Sequence, residues 1–204
     1  EVRAAVPGAR VARLDRDTVR RRGGAPALLR RFGAGEIDVL IGTQMIAKGH
    51  DFPRVTLVGV VSADVGLGVA DFRAAERTFQ LLAQVVGRAG RGTRPGEAVI
   101  QTLFPEHYGI RLACRQDYAA FFARELEYLR AMRYPPVLAM VNAVVVGRSL
   151  SEALEAANRL TRRLRHDAAS AVAAFEVVGP APAPLVKLKG EHRAQFFLKG
   201  TGRA

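Results

Sequence analysis

Five residues in one octet carry the strongest chemical signal in this 204-residue chain: Gln84, Gly87, Arg88, Gly90 and Arg91, in the run Gln84-Val-Val-Gly87-Arg88-Ala-Gly90-Arg91. Arginine keeps its charge and presents a rigid fork of donors, which suits a γ-phosphate as its bond breaks. The glycines let the backbone turn tightly and approach a ligand closely. At average residue usage these five positions recur by chance on the order of once per million starting points, which makes a solvated basic turn the weaker reading. The octet reads as an arginine-finger element of a nucleic-acid-dependent ATPase, with Arg88, Arg91 and Gln84 as its catalytic candidates.

A second cluster lies in the segment Ile41-Gly-Thr-Gln-Met-Ile-Ala-Lys-Gly-His-Asp-Phe-Pro53. It follows a strand-like apolar run, and loops at the C-terminal ends of parallel strands are where ligands bind. Backbone N–H groups and a hydroxyl in such a loop suit phosphate contact. A third group is basic: Arg159, Arg162, Arg163 and Arg165 on one face of a helix pattern, and Lys187, Lys189 and Arg193 with Gln195 further on. It reads as a surface for DNA and for a partner's acidic tail, with a solvated charged face as the equal alternative.

The elements that must position these residues are legible from periodicity. Residues 9–14 hold a short strand pattern. Pro26 opens a helix with Leu28, Leu29 and Phe32 on its apolar face, closed by Gly33 and Gly35. Ile37–Thr43 and Val55–Val61 are nearly continuous apolar runs, as buried parallel strands require, and Ala98–Leu103 is a further strand. Phe72, Ala75, Phe79, Leu82 and Val86 predict a helix over 71–86 with one buried stripe. Thr93-Arg94-Pro95-Gly96 reads as a turn. Strands alternating with helices imply a parallel α/β sheet.

Glu106–Arg133 reads as helical, with Tyr118, Phe122, Leu126 and Leu129 on one face, until Pro135-Pro136 breaks it. A strand over Leu138–Val146 precedes Ser149-Leu-Ser-Glu152, a capping-box pattern. The helix it starts carries Leu150, Ala153, Leu154, Ala157, Leu160 and Leu164 along one face. Strand patterns at Phe175–Val178 and Gln195–Leu198 flank a Pro-rich run, Gly179–Pro184. The fold class expected is α/β: a parallel-sheet lobe over 1–103, a helical connector over 104–134, and a small βαββ domain over 135–204.

Composition narrows the partners. Lys and Arg number 31 against 19 acids, a formal net charge of +12. Basic surface gains affinity for a polyanion by releasing condensed counterions, so nucleic acid is the partner class favoured. The single cysteine, Cys114, allows neither an internal disulfide nor a metal site of its own, and its apolar neighbours suggest a buried thiol. No apolar run reaches the roughly 18 residues of a membrane span, and no signal-peptide pattern opens the chain. The expected location is therefore cytoplasmic, with no membrane partner. The chain opens without methionine and stops directly after a strand-like run, so both ends read as cuts through a longer protein.

The segments Ile41–Pro53 and Gln84–Arg91 resemble motifs V and VI of superfamily 2 helicases. Asp71-Phe-Arg-Ala-Ala-Glu-Arg-Thr-Phe-Gln80, Pro105-Glu-His-Tyr108, Tyr134-Pro-Pro136 and Gly179-Pro-Ala-Pro-Ala-Pro-Leu185 resemble, more closely, the PriA family of primosomal replication-restart helicases. The resemblance runs the whole chain. It implies that the lobe is the second RecA-like lobe of an ATP-dependent 3′→5′ DNA helicase. Such a helicase recognises and unwinds stalled forks and initiates primosome assembly. It implies that Thr43 bonds a phosphate of the tracked strand with support from Gln44. Gly49 and Asp51 would face the nucleotide ribose and the arginine finger, unless they are a turn glycine and a cap. Lys48 is a DNA-phosphate contact or a solvated lysine; His50 is packing or polar support. Arg16, Asp15 and Asp17 match the motif IV region or a solvated loop.

The resemblance also implies ATP and Mg2+ as cofactors, and Zn2+ in the full-length protein through cysteines outside this chain. Its partners would be DNA forks, single-stranded DNA, single-stranded DNA-binding protein, and primosome and helicase-loading proteins. No G-x-x-x-x-G-K-[ST] phosphate loop occurs in the sequence, so this chain alone is expected to be inactive as an ATPase. Alternatives are an ATPase-inactive fork-binding scaffold of the same type, or a RecG- or Mfd-like translocase.

Overall fold

Four short apolar strands in the first half of the chain pair in parallel, and a parallel pair needs a crossover element between its members. In the computed structural model, which describes residues 1–15, 24–43, 46, 52–90, 94–170 and 175–201, helices supply those crossovers. A short helix α1 (Val2–Ala5) precedes β1 (Val11–Leu14), α2 (Gly24–Ala34) and β2 (Val39–Gly42). β3 (Leu57–Val60), a 3-10 turn (Ala63–Val65), α3 (Ala74–Val86) and β4 (Glu97–Ile100) follow. β1 pairs with β2 in the register Val11↔Val39, and β3 with β4 in the register Leu57↔Glu97, both parallel. The α/β expectation holds at this level.

The strands do not join into one sheet among the described residues, and this corrects the expectation of strands buried on both faces. Ile41 is 37%, Leu57 63% and Val99 52% exposed. A parallel strand is covered on both faces only where helices lie on both sides of its sheet. In β3 and β4 alternate residues lie open, Leu57, Gly59, Glu97 and Val99 against Val58, Val60, Ala98 and Ile100, as on a sheet with one uncovered face.

The core of this first unit (Glu1–Phe122) is built on α3. Phe79 and Leu82 are 4% and 1% exposed and meet Ala63, Ile110, Ala113 and Phe121. Phe79 stacks on Phe121 with ring centroids 4.0 Å apart. The helical stretch expected over Glu106–Arg133 is two helices, α4 (Tyr108–Cys114) and α5 (Tyr118–Ala131). Gln116 adopts φ 53 between them, and Asp117 Oδ1 caps the new helix by accepting the Ala120 N–H at 2.9 Å. The buried stripe of α5 is Phe121, Glu125 and Leu129; Tyr118 and Phe122 are 64% and 53% exposed. The expected face was thus displaced around the helix, because a glutamate occupies a buried position. Cys114 is exposed, not buried.

The second unit (Ala123–Ala204) contains the end of α5, β5 (Ala139–Gly147), α6 (Leu150–Ser170), β6 (Phe175–Leu188) and β7 (Glu191–Gly200). The sheet order is β5-β7-β6, antiparallel throughout. β6 runs through the Pro-rich segment, where the sequence suggested an interruption. It can do so because it lies at the sheet edge, where missing N–H donors break no second ladder. Its register slips between Val178 and Ala181 and again between Pro182 and Lys187. α6 starts at the expected capping box: Glu152 N–H donates to Ser149 Oγ at 3.1 Å, and Glu152 accepts the Arg148 N–H at 2.8 Å. Ala153, Ala157 and Thr161 bury one face of α6, while Leu160, expected in that face, is 48% exposed. Among the described residues no helix is long and apolar enough to cross a membrane.

Candidate functional site: the arginine turn and the Thr43 loop

Gln84 and Arg88 lie at and just beyond the C-terminal end of α3. Gly87 N–H makes the last α-helical bond, to Ala83 O at 3.0 Å, and bonding continues beyond it as tighter turns, Arg88 N–H to Val85 O at 3.0 Å and Ala89 N–H to Val86 O at 3.2 Å. The start of α3 is fixed by Asp71, whose carboxylate accepts the Arg73 N–H at 2.9 Å and pairs with Arg77 at 2.8 Å. The buried pair Phe79 and Leu82 anchors the rest. Gln84 is exposed, and Arg88 is half-buried with its Nε out of solvent contact. Gly90, at φ +72, then donates its N–H to Val55 O at 3.1 Å. The arginine-bearing turn is thereby fastened to the segment that enters β3.

Thr43 is exposed immediately after β2. Its carbonyl accepts the Ile46 N–H at 3.0 Å, so the chain folds back over Gly42. Beyond the loop, Phe52 meets Phe32 of α2 edge to face at 4.9 Å, and Arg54 donates to Gly33 O. Arg10 binds the same helix end through Gly35 O at 2.7 Å while pairing with Asp38 at 2.6 Å. The Arg10 guanidinium holds the Asp38 carboxyl far below the usual carboxylate range. Carbonyls at a helix C-terminus lack intrahelical partners, and these two arginines supply donors there. Asp15, of the motif IV match, pairs with Arg13 at 3.0 Å. Gln44, Lys48, Gly49, His50, Asp51 and Arg91, with Arg16 and Asp17, lie outside the described residues.

The basic groups of the second unit are spread over more than one surface. Paired strand residues project to the same side of a sheet. Lys187 pairs with His192, whereas Arg193 and Gln195 project from the other side of β7. Gln195 Oε1 accepts from Asn142 Nδ2 at 3.4 Å, and Lys189 sits in the β6–β7 turn at φ 52. Arg159, Arg162 and Arg163 are exposed on α6. Arg165 is exposed as well, but its guanidinium is engaged: it donates to Gly179 O at 2.6 Å and ties α6 to β6.

Two titratable groups stand out beyond the expected set. Asp64 accepts from Thr102 Oγ1 and from the Leu103 N–H at 2.9 Å, and the Thr102 bond is the main reason its carboxyl is held below the usual range. His107 caps α4 by accepting the Gly109 N–H on Nδ1 at 3.1 Å, and burial pushes its imidazole below the ordinary value. Val55, Gly96 and Arg54, which hold the turn and the loop in place, were missed by sequence reasoning. Only the Pro95-Gly96 pair offered a signal there, and it indicated a turn. Among the described residues no three His, Cys, Asp or Glu side chains gather as metal ligands.

The class these features define is that of the helicase C-terminal lobe: residues 7–93 match the helicase conserved C-terminal domain, and residues 130–204 match the primosomal protein N C-terminal domain. Replication restart protein PriA of Bacillus subtilis is 44% identical over 199 residues, covering 98% of this chain and 24% of that protein. The PriA proteins of Chlamydia pneumoniae and Haemophilus influenzae are 40% and 38% identical, each over 95% of this chain and 25% and 26% of their own length. The chain belongs to the PriA family of replication restart proteins. It spans about a quarter of the length of these relatives.

Proposed function

We propose that the chain works as the second RecA-like lobe and C-terminal domain of an ATP-dependent 3′→5′ DNA helicase that unwinds stalled forks and initiates primosome assembly. In this reading residues 1–103 form the lobe, 104–134 a helical connector and 135–204 a βαββ domain. The observation that carries the reading is the turn bearing Arg88, fastened by Gly90 to Val55 at the entry to β3. A γ-phosphate group held on another lobe would meet Arg88 and Arg91, which stabilise the charge that develops as the bond breaks. Gln84 couples that event to the lobe surface. Thr43, Gln44 and Lys48 hold the tracked strand by its phosphates, and Gly49 and Asp51 face the nucleotide.

ATP and Mg2+ supply the phosphoryl chemistry in this reading, and Zn2+ serves a site formed by cysteines outside this sequence. The chain works at the nucleoid in the cytoplasm. Forks, single-stranded DNA, single-stranded DNA-binding protein and helicase-loading proteins are its partners, and of the basic set Lys187, Lys189, Arg193 and Gln195 the docking surface for an acidic tail is the side of β7 that carries Arg193 and Gln195. The test is Arg91→Ala in the full-length protein. DNA-stimulated ATP hydrolysis should drop about 10³-fold or more while nucleotide binding survives. Turnover near that of the wild type would remove the arginine-finger assignment and favour the non-hydrolysing fork scaffold.

A further inference from the structure

Gly96 precedes β4 on the far side of the arginine turn, and nothing about its own backbone demands glycine. Its φ lies outside the left-handed region, which holds Gly90 at φ +72 in the same contact. What demands glycine is space. A Cβ built on Gly96 would stand 2.0 Å from the Gly90 nitrogen and 2.4 Å from the Ala89 carbonyl carbon. Those neighbours are backbone atoms, so no rotamer change can relieve the overlap.

The Gly90 nitrogen is also the donor to Val55 O at 3.1 Å. On the opposite flank, Glu97 N–H donates to Thr56 O at 2.8 Å and fixes the residue after Gly96 to the same approach into β3. The turn is thus held on one side by the end of α3 and on the other by a backbone-on-backbone contact that only two glycines permit. Arg88 lies two residues before that contact and Arg91 one residue after it.

We propose that Gly96 is a positioning residue for Arg88, acting through the Gly90 nitrogen and its bond to Val55. It touches no reactant itself. The proposal rests on the arginine-finger reading above. A methyl group at residue 96 displaces the turn, and a misplacement of about 1 Å in a charge-stabilising group can cost about 10²-fold in rate.

The experiment uses the full-length protein and measures DNA-stimulated ATP hydrolysis for Gly96→Ala, Gly90→Asn, Arg88→Ala and the control Gly59→Ala. Gly59 lies in β3 with nothing within 4 Å of a Cβ built on it, so Gly59→Ala should turn over as the wild type does. Gly96→Ala should lower kcat about 10²-fold with KM for ATP and affinity for single-stranded DNA unchanged. Combined with Arg88→Ala it should add little, because both changes remove one arginine's action. Asparagine tolerates positive φ, so Gly90→Asn adds the same crowding from the other side and decides the matter should Gly96→Ala not fold. Unchanged kcat in the folded variants, equal damage to KM and kcat, or losses that multiply with Arg88→Ala would overturn the proposal. If Arg88→Ala itself turns over normally, the arginine-finger reading has failed instead.

Discussion

A Cβ on Gly42 would stand 2.6 Å from the carbonyl oxygen of Leu14, the strand-end residue paired with it across β1 and β2. The same atom would lie 2.4 Å from Ile46 Cδ1. Gly42 therefore lets the loop after β2 fold back, with Ile46 closing over the strand end and Thr43 left exposed. The exposed Thr43 side chain is thus placed by a residue that has no side chain of its own.

On the proposed DNA contact of Thr43, Gly42→Ala and Thr43→Val should then share a signature in the full-length protein. Losing one bond to a charged group costs about 1.5–3 kcal/mol, so strand unwinding should fall about tenfold or more. Hydrolysis measured without DNA should change little, because the defect lies at the nucleic acid. An equal fall in DNA-free hydrolysis would make Thr43 a nucleotide-site or folding residue. Gly42→Ala should also lower the thermal midpoint more than Thr43→Val, since it forces a backbone shift and Thr43→Val does not.

Asp64 joins the 3-10 turn after β3 to the chain leaving β4 through Thr102 and Leu103. Its folded carboxyl titrates below the unfolded value, so its contribution is present above about pH 3.9 and is lost as pH falls through the folded value. Asp64→Asn should be less stable than the wild type at neutral pH, with the difference closing under acid. Denaturant melts at several pH values would measure this. A difference that persists unchanged well below the ordinary carboxylate range would mean that packing, not charge, links the two segments.

His107 gives the opposite end of the pH scale a handle. Its Nδ1 must be unprotonated to accept the Gly109 N–H, and burial lowers its affinity for a proton. With the folded value below the unfolded one, the stabilisation is complete above about pH 6.5 and declines as pH falls through the folded value. His107→Asn keeps a capping acceptor without a titration in this range. Its melting midpoint should therefore stay flat where the wild type's declines. Parallel curves for the two proteins would dissociate the decline from His107.

How far the sequence revealed the fold depended on whether side-chain chemistry and local geometry agreed. Helix α3 was legible because Phe79 and Leu82 are apolar and both are buried. Helix α5 was misread because Glu125 is buried and Tyr118 exposed, so periodicity chose a displaced face. The same exchange occurs in α6, where Thr161 takes the buried place expected of Leu160. Strand β6 was hidden by three prolines that only an edge position tolerates. In the candidate site, Arg88, Gln84 and Thr43 were visible because their types carry chemistry. Val55 and Gly96 were not: one acts through its carbonyl and the other through having no side chain, and neither property leaves a residue-type signature.

The net charge of +12 leads to a prediction for the 204-residue chain alone. Arg159, Arg162 and Arg163 are exposed on α6, while Arg165 is occupied at Gly179. Single-stranded DNA should bind weakly, and log affinity should fall with log salt at about −0.7 per phosphate neutralised. Reversing charge in Arg159→Glu plus Arg163→Glu should make that slope shallower by one to two phosphates' worth, whereas Arg165→Met should leave the slope alone and lower the melting midpoint. Anisotropy titrations at several salt concentrations measure the slopes, and a phosphate-release assay on the same chain should read no hydrolysis, since the sequence holds no phosphate loop for Arg88 to face. Salt-independent binding would remove the electrostatic account, and measurable hydrolysis would remove the two-lobe one. An unchanged slope in the double variant would move the DNA contact off α6 and onto the Thr43 side of the chain.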